Sequence, residues 1–577
     1  MVILGINNMH DASAALVIDG KVTAAAEEER FTRVKHSTGF PVNAMRFCLD
    51  YAGISMNDVD IVCASWKPWA LRVRATHTIK SFFISPDIFR AKTSRGMGQL
   101  RNEWAELFVL RSMVEKNFGK GRYKVQYVDH HLSHAASAFL CSPFERAAIM
   151  TIDGAGESAT TVLWSGEGRN IRKLKGVNLP HSLGQFYSAV TAFLGFKPQS
   201  DEYKMMGLAS YGEPVYADHL RKHVLHILPG GLFKLNPYFI DYHLARGGGF
   251  RASTTDIFGK PRDKGEEWTK RHADVAASVQ TVVEETIFHL ARHVHNITKA
   301  DALCLAGGVA FNCVANGKLF QNTPFEHIFI QPAAGDAGGA LGAPLILEQK
   351  YGAGDRDYIM NDPYLGPSFT SSECETVLKG KNLKYVKLPE NELLKKTAHA
   401  LAEGKLVCWF QGRMEWGPRA LGNRSFLADP RRGEMKDIIN LRIKQRESFR
   451  PFAPSVLEER SRDYFDMSVP SPFMLYAFGV KAGMRSQIPA VTHVDGTARP
   501  QTVSKETNPR YWKLIYEFEK ISGIPVLLNT SFNVQEPIVC TPEEAIRSFM
   551  STGTDYLVLD DLFVSREDIR GTSSSDL

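Results

Sequence analysis

The stretch Ala147-Ala148-Ile149-Met150-Thr151-Ile152-Asp153-Gly154 is typical of a buried strand that ends in a glycine-rich turn. A second apolar run, residues 158–164, follows it and ends at the turn Gly166-Glu167-Gly168. The first residues of the chain repeat this plan, because apolar runs at 13–18 and 21–26 flank Asp19-Gly20, a strong hairpin-turn signal. Each unit is followed by helical segments, so the pattern predicts an α/β fold with two similar lobes.

Two histidines, His130 and His134, lie four positions apart in the stretch His130-His131-Leu132-Ser133-His134. On a helix this spacing places both imidazoles on one face, about one turn apart. Asp153 and Asp336, each beside glycines, are the acidic residues that can complete a set of two histidines and two carboxylates. Such a set suits a first-row divalent ion better than calcium or a thiolate zinc site.

A second histidine pair has the same spacing but a different context. His289 and His293 lie in residues 274–296, where apolar residues recur at three-to-five-residue steps and predict one long amphipathic helix. We expect both histidines to be ordinary helix residues, either solvated or packed, rather than metal ligands.

A glycine pair follows the next apolar run. Residues 302–306 predict a buried strand that leads into Gly307-Gly308 and then Asn312. Such a turn lets backbone N–H groups approach a phosphate or ribose closely. Tight packing between a strand and a helix explains the same glycines, so both interpretations stay open.

Composition limits the class of protein. A chain of 577 residues should hold at least two domains, and its net charge of +6 with no long basic run does not favour nucleic-acid binding. No C-x-x-C pair occurs among the eight cysteines, which indicates reduced core thiols in a cytoplasmic protein. The N-terminus does not resemble a signal peptide, and no run of 18 apolar residues predicts a membrane span.

A second centre of charge lies between residues 411 and 454. Arg419, Arg424 and Arg450 stand among glycine, proline and phenylalanine, where an unpaired guanidinium is costly, so they predict an anion site for phosphate or carboxylate. The alternative is a set of surface arginines that pair with acidic residues, namely Glu434, Asp437 or Glu447. The polar side chains that can assist such a site are Asn529, Ser531, Lys444 and, more weakly, Arg499.

Six motifs occur in a fixed order along the chain. They are His10-Asp11-Ala12-Ser13-Ala14-Ala15, the segment 27–36 with Lys35-His36, His130–Phe139, Glu202–Ala209, Gly307-Gly308-Val309-Ala310-Phe311-Asn312 and Gly417-Pro418-Arg419-Ala420-Leu421-Gly422-Asn423-Arg424-Ser425. Together they resemble the NodU/CmcH family of O-carbamoyltransferases over nearly the whole chain.

The resemblance implies two α/β domains. Residues 1–355 would form an actin-like ATPase (ASKHA) domain related to the tRNA threonylcarbamoyl-transfer proteins, with lobes at about 1–145 and 146–355. After a connector at 356–385, residues 386–565 would form a YrdC-like domain, and 566–577 would be a flexible tail.

The resemblance also implies a reaction in two steps. The C-terminal domain would make carbamoyl-adenylate from carbamoyl phosphate and ATP. The N-terminal domain would then transfer the carbamoyl group to a hydroxyl of a small-molecule natural product. The expected partners are this acceptor and a second copy of the chain in a homodimer, with no nucleic acid and no membrane.

The family's site residues can be carried over by motif. His130, His134, Asp153 and Asp336 would hold the metal, expected to be Fe2+, with Mn2+, Mg2+ or Zn2+ as alternatives. The nucleotide residues would be Lys35, Gly154, Gly156, Glu157, Glu202, Lys204, Gly307, Gly308, Asn312, Lys444 and Arg499. Carbamoyl phosphate would be bound by Arg419, Arg424, Arg450, Asn529 and Ser531, while His10 and Lys35 would be catalytic. For His10 we keep two roles open, a general base and a residue that only positions the acceptor.

Three other functions remain as alternatives. A tRNA threonylcarbamoyl-adenosine enzyme would use the same folds on RNA, although no basic tract is present. A hydrogenase-maturation carbamoyltransferase would carry zinc fingers, and a nucleotide sensor would not need an intact metal set. The acceptor pocket should draw on residues 66–121 and 238–250, with Trp66, Trp69, Arg72 and Arg74 as candidates.

Overall fold

The computed structural model describes residues 1–83, 85–236, 238–352 and 356–568. The chain forms two compact units. Unit 1 comprises Met1–Glu29 and His36–Met360, whereas unit 2 comprises Arg30–Lys35 and the described residues from Asn361 onward. The break after Met360 falls within the connector expected at 356–385. Among the described residues, no helix has the length and apolar character needed to cross a bilayer.

The first sheet of unit 1 has the order β3-β2-β1-β4-β5. Its strands are β1 Val2–Asn7, β2 Ser13–Ile18, β3 Lys21–Glu27, β4 Ile61–Ala64 and β5 Lys124–Tyr127. β1, β2 and β3 are antiparallel neighbours, while β4 is parallel to β1 and to β5. Asp19 and Gly20 both have positive φ, 48° and 79°, as a two-residue hairpin turn requires, so the predicted hairpin is confirmed.

The second sheet repeats this arrangement, with the order β12-β11-β6-β7-β8. Its strands are β6 Arg146–Ile152, β7 Ala159–Glu167, β8 Asn170–Asn178, β11 Ala302–Ala306 and β12 His327–Ile330, and β9 Leu225–Leu228 pairs with β10 Leu232–Leu235 as a separate hairpin. When the strands of each sheet are counted in chain order, both sheets have the spatial order third, second, first, fourth, fifth. This shared order confirms the predicted internal repeat. The turn predicted at Gly166-Glu167-Gly168 begins two residues later, at Gly168, because Gly166 and Glu167 still pair with β8.

Helices cover the two sheets. The helices in this part of the chain are α1 Glu29–Thr32, α2 Val42–Ala52, α3 Leu71–Phe82, α4 Pro86–Gln99, α5 Ala105–Phe108, α6 Leu110–Phe118, α7 His130–Phe139, α8 Leu183–Phe193, α9 Glu202–Ala209, α10 Ala217–His223, α11 Tyr242–Ala245, α12 Ala252–Phe258, α13 Lys270–Thr298, α14 Cys313–Asn322 and α15 Gly339–Tyr351. The helix predicted over 274–296 is present as the longer α13. Helix α15, expected in the second lobe, packs on α7 and on β1 and β2 of the first sheet.

Unit 2 contains a mixed sheet of eight strands in the order β13-β22-β21-β14-β15-β20-β16-β19. These strands are β13 Val386–Lys387, β14 Val407–Phe410, β15 Arg424–Ala428, β16 Ala453–Leu457, β19 Gln501–Val503, β20 Val526–Ser531, β21 Tyr556–Leu559 and β22 Leu562–Ser565, and the short pair β17 Phe478–Gly479 and β18 Thr497–Ala498 lies apart. The helices are α16 Ser371–Gly380, α17 Glu390–Ala402, α18 Met435–Ile438, α19 Ser461–Tyr464, α20 Pro509–Ser522 and α21 Pro542–Ser551. Helices α17, α20 and α21 pack on the sheet.

Two expectations about irregular segments need correction. The connector predicted at 356–385 contains helix α16, which begins with a capping box formed by Thr370 and Glu373. Arg566, the first residue of the predicted tail, is held by unit 2, because its backbone N–H donates to the carbonyl of Asp555 at 3.0 Å. Residues 569–577 lie outside the described residues.

A short segment of early sequence belongs to unit 2. We call Arg30–Lys35 the strap. Arg30 donates to the carbonyl oxygen of Gly417 at 3.0 Å, and Arg33 donates to that of Ile538 at 2.8 Å. Arg33 also forms an ion pair with Glu544 at 3.2 Å. Unit 2 is therefore built from two stretches of chain that are far apart in sequence.

Candidate functional site

The predicted metal residues come together in unit 1. His130 and His134 lie on α7, Asp153 directly follows β6, and Asp336 begins a short helical turn before α15. One ligand atom from each residue lies within 4.8 Å of the others. Helix α7 starts at this position because the side chain of Asp129 caps it, accepting from the N–H of Leu132 at 3.2 Å.

The donor atoms of this metal-ligand group face one another. The Nε2 atoms of His130 and His134 are 3.1 Å apart. Oδ2 of Asp153 lies 3.1 Å from Nε2 of His130. Oδ1 of Asp336 lies 3.6 and 3.7 Å from the two Nε2 atoms. Burial alone lowers the pKa of His134, but Asp153 and Asp336 raise it to about 9. Two imidazoles and two carboxylates around one point suit a divalent cation in place of a shared proton.

The glycine pair after β11 orients one of these ligands. The N–H of Gly308 donates to Oδ1 of Asp153 at 2.9 Å, which leaves Oδ2 for His130. Gly307 has a φ of 92°, and a Cβ there would lie 2.3 Å from the carbonyl oxygen of Ile152. Close packing thus explains Gly307, and the N–H of Gly308 already has an acceptor within the protein.

Two residues predicted for the acceptor pocket, Trp66 and Arg74, lie beside His130 and the turn after β6. Trp66 is buried, and its ring stacks on that of His130 with centroids 3.9 Å apart. The guanidinium of Arg74 lies over Trp66 at 5.0 Å and donates to the carbonyl oxygens of Ala155 and Gly156 at 3.2 and 2.6 Å. Arg74 therefore links the turn after β6 to the ring that covers His130. The side chains of Trp69 and Arg72 are exposed.

Glu157, predicted as a nucleotide residue, positions α7. Its carboxylate accepts from the N–H of His130 at 3.1 Å and from that of Lys67 at 3.2 Å. Within the predicted turn Gly154–Glu157, the ring of His131 lies against Gly156, where a Cβ would come within 2.7 Å of it. The small size of Gly156 is therefore needed for packing.

His131 is a structural residue to which the sequence analysis assigned no role. Its Nδ1 lies 2.9 Å from Oγ1 of Thr151, and its Nε2 lies 3.0 Å from the carbonyl oxygen of Ala159. Burial, together with the neighbouring His130 and His134, lowers the pKa of His131 to about 3. His131 thus stays neutral and holds α7 against β6 and β7.

Three other predicted nucleotide side chains form contacts within unit 1. Oδ1 of Asn312 accepts from the N–H of Ala315 at 3.0 Å, and Gln280 contacts both ends of the Asn312 amide. Glu202 accepts from the N–H of Gln199 at 2.6 Å, and Lys204 lies 3.2 Å from a carboxylate oxygen of Asp201. In this structure the Asn312 amide therefore caps α14.

Asp11 lies between two histidines. Its Oδ2 is 3.1 Å from Nδ1 of His10, and its Oδ1 is 2.7 Å from Nδ1 of His36. Burial alone lowers the pKa of His10, but Asp11, with smaller contributions from Asp336 and Glu202, raises it to about 9. Asp11 and His36 were part of quoted motifs without an assigned role; the acid directly after His10 was the signal that could have identified them.

Unit 2 contains a buried lysine in a cationic setting. Lys444 is 1% exposed, and its Nζ contacts Oδ1 and the carbonyl oxygen of Asn533 at 2.7 and 2.8 Å and the carbonyl oxygen of Ser531. Burial lowers the pKa of Lys444, and the charges of Arg446, Arg450 and Lys35 lower it further. Such a group of cations favours an anionic ligand. Lys35 lies in the strap, which belongs to unit 2, and its predicted role at the nucleotide stays a prediction.

Arg424, predicted to bind carbamoyl phosphate, is engaged by the backbone. It is fully buried, and its Nη1 donates to the carbonyl oxygens of Gln411 and Asn423 at 2.7 and 3.0 Å. Its Nη2 donates to the carbonyl of Pro367 at 3.2 Å, and its guanidinium lies 3.6 Å from the ring centre of Phe410. Both Nη groups therefore have acceptors within the protein, and the assignment of Arg424 to carbamoyl phosphate stays a prediction.

The remaining predicted anion residues are placed differently. Arg419 and Arg499 are half-buried, and Arg450 lies 3.7 Å from Glu447, one of the acidic partners considered in the alternative. The hydroxyl of Ser531 contacts Oδ1 of Asn533 at 2.7 Å. β15 and β16, which follow Arg419 and Arg450 in the chain, both pair with β20, which ends at Ser531.

Asn529 offers an acceptor rather than the predicted donor. Its Nδ2 contacts Oγ of Ser455 at 3.0 Å, Oε1 of Gln501 at 3.2 Å and the carbonyl of Ala420 at 3.3 Å. Its Oδ1 is buried and has no hydrogen-bond partner among the described residues. A buried amide oxygen of this kind calls for a donor, which an amide-bearing ligand supplies.

Comparison with known proteins covers most of the chain. Residues 2–345 match the family described as "Carbamoyltransferase N-terminus", and residues 398–566 match "Carbamoyltransferase C-terminus". An uncharacterized protein of Synechocystis is 45% identical, covering 98% of this chain and 96% of that protein. Nodulation protein NolNO of Sinorhizobium fredii is 38% identical over 97% of this chain and 79% of its own length. Nodulation protein U of Rhizobium fredii is 29% identical over 92% and 89% of the two chains.

Solved structures give weaker likenesses. Component A of (R)-2-hydroxyglutaryl-CoA dehydratase from Acidaminococcus fermentans covers 61% of this chain and all of its own, at 15% identity and a TM-score of 0.33. HypF from T. kodakarensis covers 60% of this chain and 48% of its own, at 14% identity and a TM-score of 0.32. Likenesses at this level do not assign a fold.

Proposed function

Because the chain belongs to the carbamoyltransferase family and is a carbamoyltransferase, we propose that it is an ATP-dependent O-carbamoyltransferase of a small-molecule natural product. The observation that carries the proposal is that each unit gathers its own group of candidate site residues. Unit 1 brings together His130, His134, Asp153 and Asp336, and unit 2 contains the buried cationic group around Lys444.

Unit 2 would make the activated carbamoyl group. In this step carbamoyl phosphate, ATP and water give carbamoyl-adenylate, phosphate and pyrophosphate. Both substrates are polyanions, so the guanidinium groups of Arg450 and Arg419 would offset their mutual repulsion. The unpartnered Oδ1 of Asn529 would accept a hydrogen bond from the carbamoyl NH2 group. The eight-stranded mixed sheet would then correspond to a YrdC-like domain.

Unit 1 would transfer the carbamoyl group. The repeated strand order of its two sheets supports an actin-like fold with two lobes. A divalent ion, expected to be Fe2+, would be held by His130, His134, Asp153 and Asp336 and would polarise the carbamoyl carbonyl when bound. Trp66 limits access of water to His130, and Asp153 is kept in place by Gly308. His10 would accept the proton of the acceptor hydroxyl.

A direct assay tests this function. The purified protein is given ATP and carbamoyl phosphate, and pyrophosphate release is measured with and without carbamoyl phosphate. Hydroxylated natural products are then added, and the carbamoylated product is detected by mass. Release of pyrophosphate that does not depend on carbamoyl phosphate, or no carbamoylated product from any class of acceptor, would count against the proposal.

A further inference from the structure

The carboxylate of Asp11 holds one imidazole on each of its oxygens. Oδ2 lies 3.1 Å from Nδ1 of His10, and Oδ1 lies 2.7 Å from Nδ1 of His36. The two rings are close, with centroids 4.9 Å apart and planes inclined at 32°. Since both contacts use Nδ1, each ring retains its Nε2 for another partner. These three residues form the His10–Asp11–His36 group.

The group is fixed at both of its backbone segments. The side chain of Asn7, at the end of β1, donates to the carbonyl oxygens of His10 and Asp11 at 2.7 and 3.1 Å. The N–H of His36 donates to a carboxylate oxygen of Glu29 at 2.9 Å. Both imidazoles are therefore anchored before any ligand binds, and the Asp11 carboxylate is held from two sides.

We infer that His36 is a positioning residue for carbamoyl transfer. By donating its Nδ1–H to Oδ1 of Asp11, it fixes the carboxylate that in turn accepts the Nδ1–H of His10. His10 is then held in one tautomer, with Nε2 as its basic nitrogen. The inference rests on the proposed function, because it assigns a role to His36 in the transfer step.

The proton balance of that step is simple. The acceptor oxygen forms a bond to the carbamoyl carbon, and its proton moves to Nε2 of His10. The bond between that carbon and the AMP oxygen breaks, and AMP leaves with the electron pair. Asp11 stabilises the imidazolium that forms on His10, and His36 keeps the Asp11 carboxylate oriented toward that imidazolium.

Three substitutions at one position test the role. His36→Asn keeps an N–H donor close to the place of Nδ1, His36→Gln offers its amide at the place of Nε2, and His36→Ala offers no donor. We expect His36→Ala and His36→Gln to lower kcat for transfer by about 10- to 100-fold, a share of the effect of a general base. His36→Asn should retain most of the parent rate. The KM for the acceptor, pyrophosphate release and bound metal per chain should stay unchanged.

Nitrogen NMR of His10 provides a readout that needs no acceptor. At pH 10, where His10 is neutral, the parent and His36→Asn should carry the proton of His10 on Nδ1, whereas His36→Ala should show a mixture of tautomers. His289→Ala is the matched control, since His289 is a half-buried helix histidine whose Nε2 contacts the carbonyl of Leu228 at 2.9 Å.

Several results would overturn the inference. One is a parent-like transfer rate in His36→Ala, and another is a His36→Asn variant whose transfer rate does not exceed that of His36→Gln. A third is an unchanged His10 tautomer in His36→Ala. A fourth is loss of bound metal in His36→Ala, which would make His36 a metal ligand. A parent protein that transfers to no acceptor would instead contradict the proposed function, and the NMR measurement would still decide the role of His36.

Discussion

Arginine side chains in unit 2 differ in what their guanidinium groups contact. Arg424 is fully buried and donates to backbone carbonyls, whereas Arg450 lies near other cations and 3.7 Å from Glu447. The sequence surrounds both with glycine, proline and phenylalanine, so it does not distinguish a structural arginine from a ligand-binding one. The difference depends on where distant carbonyl groups, such as that of Pro367, are placed by the fold.

Arg450 should be needed for binding carbamoyl phosphate. Loss of a hydrogen bond to a charged group costs about 1.5–3 kcal/mol, so Arg450→Ala should raise the KM for carbamoyl phosphate by about 10-fold to more than 100-fold. Arg450→Lys should recover little, because an ammonium lacks the bidentate geometry. Transfer from supplied carbamoyl-adenylate should be normal, and its failure would show that Arg450 has another role.

Arg424 should matter for stability instead. Arg424→Ala removes several buried charged hydrogen bonds and leaves carbonyl groups without donors, so the free energy of unfolding should fall by roughly 3 kcal/mol or more. Urea unfolding followed by circular dichroism measures this change. If Arg424→Ala has the stability of the parent but a raised KM for carbamoyl phosphate, the result would support the predicted role of Arg424 in binding carbamoyl phosphate.

The rate of transfer should depend on the protonation of His10. Burial alone would lower the pKa of His10, but Asp11, Asp336 and Glu202 raise it to about 9. Since only neutral His10 accepts a proton, single-turnover transfer from carbamoyl-adenylate should rise with pH, with a midpoint near pH 9, and level off about one pH unit higher. Asp11→Asn should move the midpoint to lower pH. A rate that is constant from pH 6 to 9.5 would exclude His10 as the base.

At the scale of elements, α7 shows what periodicity can and cannot predict. The four-residue spacing predicts two imidazoles on one helix face, and α7 has them. The same spacing on α13 places His289 and His293 in no group of three or more potential metal ligands among the described residues. What distinguishes the two histidine pairs is the presence of Asp153, after β6, and Asp336, before α15. These two residues reach α7 only through the tertiary structure.

His134 should serve transfer but not activation. His134→Ala removes one of two nitrogen ligands in unit 1, so bound metal per chain and transfer should both fall strongly. Pyrophosphate release in unit 2 should continue at the parent rate. The matched control is His289→Ala with His293→Ala, which should leave metal unchanged. Equal loss of both activities in a folded variant would contradict two separate sites.

At the scale of the whole molecule, local signals predicted the repeated part of unit 1 well. The hairpin at Asp19-Gly20 and the strand before Asp153 follow from turn chemistry and apolar runs, which act between near neighbours. The strap could not be predicted, because Arg33 meets Ile538 across 505 positions of sequence. For the same reason the sequence did not predict that Lys35 belongs to unit 2.

The strap also limits how this protein can be dissected. A fragment that begins at Asn361 lacks Arg30 and Arg33, so the carbonyl groups of Gly417 and Ile538 lose their donors. We expect such a fragment to melt at a lower temperature than the same fragment mixed with a peptide of residues 29–36, as differential scanning calorimetry would show. A chimaera that takes its C-terminal half from a relative must therefore also take the relative's short N-terminal segment, and recombination at a single crossover point would separate parts that fold together.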